Sequence, residues 1–134
     1  MAEVQGFEDL HCWQSARCLF REFYQVARSV GLDRDRILFD QMRRAALSVG
    51  SNVAEGFERG TRRQQIQFCF VAKGSAAEFR SQLTMAHDVG LIGDRDFRML
   101  RERAVECSKL LAGYLRWLQK SSSGMPRMEY GKDA

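Results

Sequence analysis

Histidine is the side chain most often placed to move protons or hold a metal near neutral pH, and this chain has two, His11 and His87. Neither has a second ligand at metal-binding spacing. A zinc site built from His11, Cys12 and His87 would join residues from distant segments with no motif to bring them together. Both histidines therefore read as solvated or capping groups, and no metal or cofactor is expected. The paired Glu-x-x-His motifs of a di-iron bundle are missing. Gly74 opens a small-residue run, GSAA, that belongs inside a helix rather than in a phosphate-cradling loop. Cys12, Cys18, Cys69 and Cys107 lack CxxC spacing and fall in helix-like segments, the pattern of reduced and mostly buried thiols. With no nucleophile and base set in reach of each other, the chain is not expected to be an enzyme.

What the sequence concentrates is arginine. The net charge is +4 with a pI near 9.1, and 17 of the 21 basic residues are arginine. Guanidinium groups bind phosphate or carboxylate bidentately and stack on bases, so an arginine-rich surface suits RNA or an acidic partner. Residues 34–80 are the basic part, with 9 basic and 5 acidic side chains. Within them Arg44, Ser48, Ser51, Glu55 and Arg59 fall inside about 80° of helical arc, with Asn52 alongside. Such a stripe can stitch a helix surface through hydrogen bonds and ion pairs. It can also serve as a phosphate-binding or partner-binding strip, continued by Arg62, Arg63, Lys73 and Arg80. Glu55 favours the first role, since a carboxylate repels phosphate. Arg43, Arg44, Arg59, Arg62, Arg63, Lys73 and Arg80 are the nucleic-acid-binding candidates.

Elements that would position these residues follow from periodicity. At 134 residues, 45% hydrophobic and 28% charged, the chain has the balance of one globular domain that needs no metal or disulfide staple. Trp13, Ala16, Phe20, Phe23, Ala27 and Val30 step by three and four after Asp9, a candidate N-cap, and predict a first helix ending at Gly31. Leu38, Met42, Ala45, Val49, Val53 and Phe57 predict a second helix to about Arg59, with a bend or close backbone approach at Gly50. Gly60 and Thr61 read as stop and N-cap. Phe68, Ala72, Ser75, Ala76, Phe79, Leu83 and Ala86 predict a third helix ended by Gly90. A fourth starts after Asp94 or Asp96 and carries Phe97, Leu100, Ala104, Cys107, Leu111, Tyr114 and Leu118. Short turns between four amphipathic helices imply an all-α, antiparallel up-down-up-down four-helix bundle. Its expected span is 9–119, after an N-terminal extension (1–8) and before a disordered tail (120–134). Ile66, Phe70 and Ala77, and a second line of Met99, Leu110 and Trp117, exceed what one bundle core needs and mark an oligomer interface. No apolar run reaches a membrane span and the first residues lack a signal-peptide pattern, so a cytoplasmic location is expected.

Four stretches resemble a known family: residues 7–17 (FEDLHCWQSAR), 41–48 (QMRRAALS), 51–59 (SNVAEGFER) and 72–83 (AKGSAAEFRSQL). They look like the bacterial four-helix-bundle proteins encoded within intervening sequences of 23S rRNA genes, over roughly residues 7–118. SNVAEG and AKGS are the specific blocks. Gly50 departs from the pattern, because similar proteins usually carry proline there. The resemblance implies a ring-shaped homopentamer without enzymatic activity. It also implies kinship to the accessory variability protein of diversity-generating retroelements, a basic pentamer that binds nucleic acid and a reverse transcriptase. Arg43, Arg44, Ser51, Asn52, Glu55, Lys73, Ser75 and Glu78 match the family blocks. Of these, Ser51, Asn52, Glu55, Ser75 and Glu78 form a candidate structural lock, with Asn52, Glu55, Lys73 and Glu78 as mutual partners between the second and third helices. The expected function is an oligomeric bundle with a basic surface for RNA or DNA. The alternative is an adaptor that docks a partner enzyme, such as a reverse transcriptase, without touching nucleic acid.

Overall fold

A computed structural model of the chain describes residues 4–120. Among them are four helices and no strand: α1 (His11–Val30), α2 (Arg36–Arg59), α3 (Arg62–Asp88) and α4 (Asp94–Lys120). Lys120 is the last residue of α4, and the rest of the expected tail lies outside the described residues.

The helix ends follow local chemistry, with one correction. Asp9 does not cap α1. The chain instead makes a short 3-10 turn, Phe7–Asp9, and Leu10 takes the N-cap position with no side-chain bond. The Asp9 carboxylate accepts from the backbone N–H of Gln5 (2.9 Å) and Gly6 (3.3 Å). Leu10 is fully buried, so the position before α1 serves as a core anchor. Phe7 meets Trp13 edge to face at 5.2 Å, and Val4 and Phe7 pack on the core, so part of the expected extension belongs to the packed body. Between α1 and α2, Gly31 takes the left-handed conformation and the Asp35 carboxylate accepts from Leu38 N–H at 3.1 Å. Between α2 and α3, Gly60 is left-handed at φ +83° and Thr61 Oγ1 accepts from Gln64 N–H at 3.2 Å. These two residues stop one helix and start the next, as their types predict.

Helices α1 and α3 each pack against both α2 and α4. The core has two layers. One joins Cys12 and Ala16 of α1, Val49 and Val53 of α2, Cys69, Ala72 and Ala76 of α3, and Cys107, Leu111, Tyr114 and Leu118 of α4. The other joins Leu19, Phe23 and Ala27, Met42 and Ala45, Phe79, Leu83 and Ala86, and Leu100 and Ala104 from the same helices in order. The predicted lines of α2, α3 and α4 supply most of these residues. The α1 line is rotated from its expected course: Cys12, Leu19 and Val26 are buried, Trp13 and Phe20 only partly so, and Val30 is exposed. The large aromatics Trp13 and Phe20 sit together on one edge of the stripe and hid its centre, because a bulky ring can cover core from the flank.

Small residues set the spacing between α2 and α3. A Cβ added at Gly56 would lie 2.8 Å from Phe68 Cβ and 3.3 Å from Gln65 Cα, so only glycine fits that crossing. Gly50 meets α1 more loosely, with Trp13 Nε1 at 3.4 Å from the same hypothetical atom. Helix α2 continues through both glycines.

Candidate assembly and nucleic-acid surfaces

The polar residues between α2 and α3 meet through Ser48, which the expected lock omitted. Ser48 Oγ and Ser75 Oγ are 2.9 Å apart, and Asn52 Nδ2 donates to both Ser48 Oγ and Ser48 O at 2.8 Å. Ser75 and Asn52 are thus brought together. Ser51, Glu55 and Glu78 are exposed and do not join them; Glu55 instead accepts from Arg59 at 2.9 Å within its own helix. The reason is register. Residues 48, 52 and 75 lie at the edge of the helix contact, whereas 51, 55 and 78 are rotated outward. Ser48 was legible as a member of the polar stripe, but only the helix crossing shows that it faces Ser75.

The candidate cations are spent unequally. Arg43 and Arg44 both donate to Asp40, at 2.6 and 2.9 Å. The Arg44 hydrogen bond, backed by the charge of both arginines, holds the Asp40 carboxyl below its ordinary value. One carboxylate shared by two guanidiniums leaves this trio with a net positive charge. Arg59 is paired with Glu55 and lies 5.1 Å over the Phe68 ring. Arg62 donates to the Leu118 carbonyl at 3.4 Å, tying the start of α3 to the end of α4. Arg63 is exposed, and Lys73 and Arg80 are half-buried on the same helix.

An open depression of about 500 Å³ is lined by Asp33, Arg36, Ile37, Asp40 and Arg43 among others. Its charges are mixed and its Asp40 is already held, so it is not shaped as an anion site. The expected interface residues divide. Phe70 and Ala77 are exposed, while Ile66, Met99, Leu110 and Trp117 are partly buried against the chain's own core.

The titratable core groups lie apart from this surface. Burial pushes the thiols up: Cys69 to about 12, Cys107 to about 11, and Cys12 well above its ordinary value, with the other two thiols adding to the rise at Cys12. His87 stacks on Phe97 at 4.3 Å, and its Nε2 is 2.6 Å from Asp94 Oδ1. The pair clasps the end of α3 to the start of α4, and the hydrogen bond and charge of His87 lower the Asp94 carboxyl. Among the described residues no three His, Cys, Asp or Glu side chains converge to hold a metal ion. No described helix is long and apolar enough to cross a membrane.

A family model described as 23S rRNA-intervening sequence protein matches residues 8–113, most of the four-helix body. The chain belongs to that family. The intervening-sequence fold is also seen in a crystal structure from Bacteroides thetaiotaomicron, described as a protein of unknown function from the S23 ribosomal protein family. That structure matches this family member with a TM-score of 0.71 at 18% identity, covering 78% of this chain and 98% of the other. No curated protein matches the chain. Neither match names a catalytic family.

Proposed function

We propose that this intervening-sequence protein is a non-catalytic, self-assembling bundle that offers arginines to RNA phosphates in the cytoplasm. The observation that carries the reading is the outward face of α3. Phe70 and Met85 are 52% and 60% exposed there, far more apolar surface than a lone chain gains by showing to water. Arg63 lies in line with them, and Lys73 and Arg80 lie on one flank. Self-association that covers the apolar row therefore lines up copies of these cations. The pentamer implied by the sequence blocks would multiply a modest affinity per chain into avidity for an RNA that spans several copies. An up-down-up-down course is supported by the two core layers. The start of α1 shares one layer with the end of α2, the start of α3 and the end of α4.

The test is a titration of nuclease-treated protein with a labelled structured rRNA fragment at two salt concentrations, with mass by light scattering on the same sample. Tight binding by an oligomer, weakening steeply with salt, is the expected result. An oligomer that binds no RNA at low salt overturns the nucleic-acid reading. The adaptor reading then takes its place, supported by the exposed apolar residues, and predicts partner binding nearly independent of salt.

A further inference from the structure

A shallow groove of about 300 Å³ runs between α1 and α2. Ala46, Gly50 and Ala54 of α2 line it at one-turn spacing, with Trp13 and Phe20 from α1. Leu47, 50% exposed, also borders it. Its one charged lining residue is Arg17, whose guanidinium lies 5.8 Å over the Trp13 ring.

The outward row of α3 has the complementary shape. Phe70, Gly74, Ala77, Ser81 and Met85 are all exposed and fall within about 80° of arc. A Cβ added at Gly74 would meet nothing within 4 Å. Packing inside the chain thus gives no reason for a glycine in the middle of this helix, where it weakens helix propensity. Bare backbone next to an exposed aromatic ring suits close approach by another surface. Exposed Glu78 borders the row and is opposite in charge to Arg17. Helices α1 and α3 are diagonal in the bundle and meet in its core, Phe23 against Phe79 at 5.2 Å, so the groove and the outward row of α3 face different ways and cannot fill each other within one chain.

We propose that the α3 row of one copy seats in the α1/α2 groove of the next, with Phe70 against Trp13 and Phe20 over Gly50 and with Glu78 toward Arg17. The inference rests on the self-assembly reading and assigns the two halves of its interface. Because the halves are different surfaces, the contact is heterologous and repeats head to tail until the rotation closes a ring. Small residues of α2 and α3 then meet at the contact, which explains the unfilled space at Gly74.

Two single variants and their mixture test it. Leu47→Glu blocks the groove but keeps the row, and Phe70→Glu does the reverse. Light scattering is expected to show each variant as a single chain with its helical circular dichroism intact. Mixed and concentrated, they should form a two-chain species through the one sound groove and the one sound row. Gly74→Ala adds a readout that fold damage cannot imitate: a higher melting temperature for the dissociated chain with a weaker assembly. A wild-type oligomer whose mass survives either charge insertion overturns the assignment, as does a mixture that stays single-chain. Wild type that is itself a single chain overturns the self-assembly reading beneath it.

Discussion

Gln65 is the residue whose placement is hardest to justify locally. It is 2% exposed, and neither its amide nitrogen nor its oxygen has a hydrogen-bond partner among the described residues. An unsatisfied buried amide costs about 1–3 kcal/mol, and an apolar side chain of similar shape avoids that cost. Gln65→Met is therefore expected to stabilise the fold by about 1–2 kcal/mol, read from the midpoint shift in urea. The neighbouring glycines give a paired prediction of opposite sign. Gly56→Ala forces a methyl to within 2.8 Å of Phe68 Cβ, and overpacking of this kind costs about 1–3 kcal/mol, enough to outweigh the gain in helix propensity. Gly50→Ala meets Trp13 Nε1 at 3.4 Å and Ala16 Cβ at 3.6 Å, both ordinary contacts, and should stabilise the dissociated chain by up to about 1 kcal/mol. Equal melting temperatures for the two variants would show that the crossing at Gly56 is no tighter than the one at Gly50.

Individual helices were legible to different depths. The buried line of α4 follows its sequence repeat almost residue for residue, because an unbroken three-four repeat leaves one way to face a core. The α1 line does not, because Trp13 and Phe20 are large enough to contribute from the edge of the stripe. At the junction of α3 and α4 the clasp of His87 and Asp94 gives a pH-dependent prediction. Asp94 is held below its ordinary value of 3.8, so its stabilising effect is complete above that value and is lost as the pH falls through the lower, folded one. The advantage of wild type over Asp94→Asn should shrink as the pH falls below 3.8, followed by thermal melts from neutral pH down into that acid range. A constant difference would mean that the carboxylate charge contributes nothing to the clasp.

For the whole molecule the useful distinction is between arginines engaged inside the chain and those left facing out. Arg62 is a poor probe of RNA binding, since its bond to the Leu118 carbonyl makes its removal a structural change as well. Arg63 and Lys73 are better. Arg63→Ala with Lys73→Ala is expected to lower RNA affinity and to reduce the salt slope by about one for each phosphate that is no longer neutralised. Affinity and slope that both hold would place the phosphate-binding groups elsewhere, the trio of Arg43, Arg44 and Asp40 being the next surface to vary.

The sequence by itself determined the helices and most of their inward lines. Periodicity, left-handed glycines and side-chain caps act within a few residues and do not depend on what packs where. It also marked the specific blocks at residues 51–59 and 72–83. Only the tertiary structure decided which polar residues of those blocks touch. Facing between two helices depends on their rotation and crossing, and a small change in either moves a side chain from the contact to its rim. Ser48 on Ser75, Arg62 on Leu118 and the groove beside Gly50 are all products of such crossings. The same rotation turned Met99, Leu110 and Trp117 partly onto their own core and left Phe70 and Met85 exposed.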